Sequence, residues 1–119
     1  MKRGFDRLQR IAELIKQTLS QILLHDMADE RFRLVMITDV VVSRDMSHAK
    51  VYVSVLLDEE AKIKETVVAL NKASKAMRYN LANQIDLRVA PELKFVYDES
   101  TARGFQITTL INSAIKKDE

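Results

Sequence analysis

Residues 87–100 read LRVAPELKFVYDES, and within them the chain changes its period. Pro91 closes whatever precedes it. After it, Leu93, Phe95 and Tyr97 alternate with Lys94, Val96 and Asp98, the period of two that belongs to a half-buried strand and not to a helix. A proline just ahead of such a run fits a sheet edge or the first residue of a strand, where no ladder N–H is required. The strand therefore returns to a sheet begun earlier in the chain, and the segment before it is a crossover.

Working outward, residues 61–85 carry an apolar seam of Ile63, Val67, Leu70, Met77, Leu81 and Ile85, with Ser74 between Leu70 and Met77. A straight helix of that length would reach roughly 37 Å, longer than the roughly 30 Å of a nine-residue strand. A bend is expected near the small residues Ala73, Ser74 and Ala76. Asp58, Glu59 and Glu60 supply a cap and negative charge for the helix start. Before them, residues 35–43 and 49–57 are rich in β-branched side chains and are joined by Arg44, Asp45, Met46, Ser47 and His48, short enough for an antiparallel hairpin. Val51, Val53, Val55 and Leu57 share one face of the second strand, and Lys50, Tyr52 and Ser54 share the other.

At the amino-terminal end, Asp6 with Gln9 reads as a helix cap. Leu8, Ile11, Ala12, Ile15, Leu19, Ile22 and Leu23 then form one apolar face, with Arg7, Arg10, Gln17 and Gln21 opposite and Leu14 the exception on the polar side. The order helix, strand, strand, helix, bend, helix, strand, closed by a right-handed crossover, makes the second and third strands parallel. The fold class is α+β, with a three-stranded mixed sheet and helices on one face.

Composition bounds the function. One domain over residues 1–119 is expected, with 1–5 a flexible leader and 101–119 an amphipathic helical segment. Hydrophobic residues at 47% suffice for a core. No cysteine is present, which excludes disulfides, zinc thiolates and thiol catalysis. The apolar runs are too short to span a bilayer, and the charged start MKRGFDRLQRIAEL does not resemble a secretory signal. A cytoplasmic monomer is the expectation. The net charge of +2 is unevenly spread, because residues 1–24 and 66–94 each carry five basic and two acidic side chains. Two basic segments of this kind form one anion-attracting patch if folding brings them together.

The order of elements resembles a type II KH domain, an RNA-binding fold. The wording is closer still to the ribosome-binding factor A family. The runs IAELIKQTLSQIL, VVVSRDMSHAKVYVSVL and ALNKASKAMRYNLANQIDLRVAPELKFVYDES, followed by an apolar carboxy-terminal segment, carry the resemblance over nearly the whole chain. It implies a non-enzymatic bacterial factor that binds the small ribosomal subunit and its precursor 16S rRNA, assists late assembly and 5′-end processing, and is associated with growth in the cold. It implies no cofactor, small-molecule substrate or membrane.

Two departures accompany it. The only glycines are Gly4 and Gly104, so the GxxG turn of ordinary KH domains, a backbone cradle for phosphate, is absent. Where the family places an Ala-x-Gly kink, this chain has Ala73-Ser74-Lys75. Lysine there adds positive charge at the RNA-facing corner and removes the freedom of glycine.

The residues expected to meet RNA are Lys2, Arg3, Arg7 and Arg10 in the first helix and its leader, and Lys72, Lys75, Arg78 and Arg88 around the bend. Arginine bridges phosphate oxygens in a bidentate manner and lysine acts as a point charge. Such contacts position a protein without reading sequence. Phe95 and Tyr97 have the spacing of bases stacked on a sheet, but Leu93 shares their face and core packing is the better reading. Phe5, Phe32, Tyr52, Tyr79 and Phe105 carry no signal individually.

Catalysis has little support. Asp39, Asp45, Asp98 and Glu99 could in principle pair as acid and base, yet carboxylates beside strand ends are commonly caps or surface charges. His25 and His48 lack the close spacing of a metal-ligand pair. The rival reading is a KH-like protein-interaction module without direct RNA binding, resting on the stripe Ile107, Leu110, Ile111, Ala114 and Ile115.

Overall fold

The computed structural model describes residues 2–57, 59–86 and 90–99, with side chains from Arg7 onward. Helix α1 spans Lys2–Gln21 and runs on into a π turn at Ile22–Asp26. It begins at Lys2, so residues 2–5 belong to the helix and Asp6 lies within it, not at its cap. The expected apolar face is the buried one. Ile15, Leu19, Ile22 and Leu23 are inaccessible to solvent or nearly so, with Ile11 and Ala12 packed at the margin. Leu14 remains exposed.

A 3-10 turn at Glu30–Leu34 follows, capped by Asp29, whose Oδ1 accepts from the Arg31 amide at 3.0 Å. The Arg31 guanidinium also donates to both oxygens of Asp29, and these bonds hold that carboxyl below its ordinary pKa. The turn drops Phe32 into the core.

Strand β1 (Val35–Val42) pairs antiparallel with β2 (His48–Val55), and β2 pairs parallel with β3 (Glu92–Tyr97), giving the order β1-β2-β3. The mixed sheet and the parallel return after the crossover are as expected. Thr38 is the extra residue of a bulge in β1, between Ile37 opposite Val53 and Asp39 opposite Tyr52. A bulge shifts the alternation by one, which is why Ile37 and Val40, three apart, both face inward. On β2 the buried set is Ala49, Val51, Val53 and Val55, while Leu57 falls beyond the strand and is half-buried. On β3 it is Leu93 and Phe95, with Tyr97 half-buried.

The crossover is two helices, α2 (Glu60–Lys72) and α3 (Ser74–Gln84), broken at Ala73 where the small residues predict it. Ala73 has φ −88° and ψ 1°, the bridge region between strand and helix. Glu59 precedes α2 but forms no side-chain capping bond, so its contribution is charge near the helix start. Leu70 from α2 and Met77 and Leu81 from α3 enter the same core as α1 and the inner sheet face. At about 1.5–3 kcal/mol for each large side chain fully buried, this single cluster dominates the favourable side of folding.

Candidate nucleic-acid interface

The packing of the helices decides which basic groups remain available. α1 lies against β1 and α3, while α2 and α3 lie against β3. The polar face of α1 therefore turns outward with Arg7 and Arg10 exposed. Lys72 ends α2 and Lys75 opens α3, so the two flank the bend, both exposed. None of these four forms an ion pair among the described residues. By contrast, Lys62 and Lys64 in the first turns of α2 are matched to Glu59 and Glu60 at 3.6 and 3.8 Å.

Arg78 differs from the others in the expected set. It is half-buried, its Nε donates to the Ala90 carbonyl at 2.9 Å, and its Nη1 lies 4.0 Å from Glu92. Its guanidinium joins α3 to the start of β3. Lys2 and Arg3 lie in the first turn of α1 with no side-chain description, and Arg88 lies outside the described residues.

Arg10 lines an open cleft between α1 and β1 with Lys16, Glu13 and Asp39. Two carboxylates accompany two cations there, so the local field is close to balanced. The bend is not balanced in this way. α3 reads SKAMRYNLANQ and contains no acidic side chain, so its exposed charge is of one sign. No described contact joins Arg7 or Arg10 to Lys72 or Lys75; the two pairs are carried by different helices of one layer.

Three of the carboxylates considered as acid–base candidates, Asp39, Asp45 and Asp98, are engaged in local hydrogen bonds. Asp45 Oδ1 accepts from the Ser43 hydroxyl at 2.7 Å, the Ser47 hydroxyl at 2.8 Å and the Ser47 amide at 3.1 Å, which lowers its pKa to about 2. Asp39 accepts from the Val40 amide at 2.9 Å. Asp98 Oδ2 lies 2.5 Å from the Thr38 hydroxyl and so ties the end of β3 to the β1 bulge. His48 Nε2 is 3.3 Å from Glu92 at the start of the β2–β3 pair. Among the described residues no group of three or more potential metal ligands converges, and no helix is long and apolar enough to cross a membrane.

The family model for ribosome-binding factor A matches residues 7–111, from the first helix to beyond β3. The chain belongs to the ribosome-binding factor A family. The ribosome-binding factor A of Shewanella sediminis is 43% identical over 119 residues, covering 100% of this chain and 83% of that protein. The crystal structure of ribosome-binding factor A from Thermus thermophilus matches with a TM-score of 0.66 at 24% identity, covering 76% of this chain and 94% of that one, and shows the shared fold. Coordinates of the Thermus thermophilus factor fitted into a cryo-electron-microscopy map of its complex with the 30S subunit match with a TM-score of 0.60 at 26% identity, covering 74% of this chain and 91% of that one.

Within this family fold, Lys75 takes the place where the resemblance puts glycine, and the backbone explains why it is tolerated. The only non-glycine residue with positive φ among the described residues is Met46, in the hairpin turn. The bend at Ala73 keeps φ negative, so nothing at 73–75 requires glycine. Sequence reasoning passed over Asn71 and found no signal in Tyr79 taken singly. Asn71 binds the edge of β3 with both ends of its amide, and Tyr79 stands in solvent at 70% exposure. The signal for Tyr79 was present: an aromatic on the helix face opposite Met77 and Leu81, one turn from Lys75.

Proposed function

We propose that this protein is a non-enzymatic bacterial maturation factor that binds the small ribosomal subunit through its precursor 16S rRNA, assists late assembly and 5′-end processing, and acts in the cytoplasm as a monomer. The observation that carries the reading is the set of exposed cations, without ion-pair partners among the described residues, on a KH-like frame: Arg7 and Arg10 on α1, Lys72 and Lys75 at the bend. Lys2, Arg3 and Arg88 extend the same set in sequence. Support also comes from the related Thermus thermophilus factor, whose coordinates were fitted into a complex with the 30S subunit. Phosphate contacts of this kind hold a protein in register on RNA and leave selectivity to the shape of the subunit. Arg78 serves this surface indirectly, by fixing α3 against β3.

Sedimentation of the protein with purified small subunits across a salt series tests the reading. The variant carrying Arg7→Ala, Arg10→Ala, Lys72→Ala and Lys75→Ala is expected to bind more weakly, with the slope of log K against log salt reduced by about one for each phosphate left without its cation. The control carrying Lys62→Ala and Lys64→Ala, whose ammonium groups are already paired, should stay within about twofold of the parent. Equal affinity and equal slope for the quadruple variant would sink the assignment of this surface.

A further inference from the structure

We infer that Tyr79 is a stacking platform for one unpaired RNA base, with Lys75 and Lys72 holding the phosphates on its amino-terminal side. The inference rests on the RNA-binding reading above and adds to it a residue and a mode of contact. Tyr79 is the most exposed of the large apolar or aromatic side chains among the described residues, at 70%. Met77 and Leu81 carry the buried face of α3, and Tyr79 lies on the outer face with Lys75, Ala76, Ala82 and Asn83, all exposed. A ring of this size left in water normally packs along the stems of neighbours three and four residues away. Here both neighbours at a spacing of three, Ala76 and Ala82, end at a methyl group. They are too short to cover the ring, and the Lys75 stem at a spacing of four can lie along only one of its faces, so a planar face stays open at 70% exposure. The Tyr79 hydroxyl makes no hydrogen bond among the described residues.

Charge selects the occupant. α3 carries no acidic side chain, and Lys75 one turn before the ring and Lys72 across the bend have no ion-pair partner among the described residues. An aromatic plane beside unopposed cations suits a ligand that is a flat ring joined to a phosphate, which is a nucleotide of single-stranded RNA. An acidic peptide would use the lysines and leave the ring idle. Bases inside a duplex are already stacked, so the partner is an unpaired stretch or a flipped residue. Lysines at successive turns ahead of the ring would track a backbone running along the outer face toward the bend.

Titration of the full chain against a labelled single-stranded oligoribonucleotide of about ten nucleotides, beside sedimentation with small subunits, tests the inference. Tyr79→Ala is expected to weaken both by about 5- to 150-fold, the range of base–aromatic stacking, with an unchanged salt slope. Tyr79→Phe should remain within about twofold, while Lys75→Ala should lower the slope by about one. Alanine at an exposed helical position favours the helix, so a folding defect does not explain a loss, and circular dichroism of each variant checks that. Unchanged oligonucleotide binding by Tyr79→Ala overturns the inference. So does loss of subunit binding with oligonucleotide binding intact, which would mark a protein contact, or a Tyr79→Phe variant as weak as Tyr79→Ala. If the quadruple charge variant loses subunit binding while Tyr79→Ala keeps it, stacking fails and the RNA-binding reading stands. If both bind like the parent, both fail.

Discussion

Asp45 illustrates how much one side chain can settle at the residue scale. Two serines, Ser43 and Ser47, converge three donors on one of its oxygens, and the turn they close lets Met46 adopt φ 61°. A carboxyl that accepts several hydrogen bonds is favoured in its charged form. Its folded pKa of about 2 lies below the ordinary 3.8, so its contribution to stability is whole above the ordinary value and is lost as pH falls through about 2. Carboxyl-detected NMR titration should therefore give Asp45 a midpoint near 2, and Asp45→Asn should make the hairpin turn indifferent to acid over that window. A midpoint at 3.8 would mean that the serine bonds do not persist in solution.

At the scale of elements, the sheet edges and the bend are the informative places. β3 is an edge strand, and an edge leaves backbone groups open to pairing with other chains. Asn71 closes part of it, its Nδ2 donating to the Phe95 carbonyl at 3.0 Å and its Oδ1 accepting from the Phe95 amide at 2.9 Å. The amide thus acts as a short stand-in for a fourth strand and locks α2 to β3. Asn71→Ala should cost about 1–2 kcal/mol, read as a lower denaturant midpoint with unchanged slope, and hydrogen exchange at Phe95 should accelerate. An unchanged Phe95 exchange rate would show that another group protects this edge. The bend itself was legible from Ala73 and Ser74, because small side chains permit a break in a helix. Its conformation was not legible, since sequence cannot tell a bridge-region break from one that needs positive φ. That distinction decides whether Lys75 is strained, and it is not.

Across the described residues of the molecule, one core joins every element. Ile15 and Leu19 from α1, Phe32 from the 3-10 turn, Leu70 and Met77 from the two crossover helices, and Val51 and Phe95 from the sheet belong to a single buried cluster. Leu70 is completely inaccessible, and the cluster it belongs to draws on both the sheet and the helical layer. Leu70→Ala should therefore lower stability by about 2–5 kcal/mol, with helix and sheet probes melting together. A helical signal that melts separately would mean that the crossover and the sheet are independent units. The same layer also divides the cations: α1 on β1 presents Arg7 and Arg10, while the bend beside β3 presents Lys72 and Lys75.

By itself the sequence determined the elements and their order. A period of two after Pro91, a helical seam interrupted by small residues, and a short polar link between two β-branched runs are local signals, and local backbone preference is written in neighbouring residues. It also determined the buried faces of α1, β2 and β3, because burial follows the same periods, while in β1 the bulge at Thr38 shifts the period and only the paired sheet shows it. The helix start was less legible, since Asp6 has the chemistry of a cap wherever it stands and only the backbone from Lys2 excludes it. What the tertiary structure decided was which charges are free. Arg78 and Lys75 are near neighbours with similar sequence surroundings, yet one guanidinium is taken by the Ala90 carbonyl and Glu92 while the ammonium stays in water. Those partners lie twelve and fourteen residues along the chain, and only packing of α3 on β3 brings them within reach of the guanidinium.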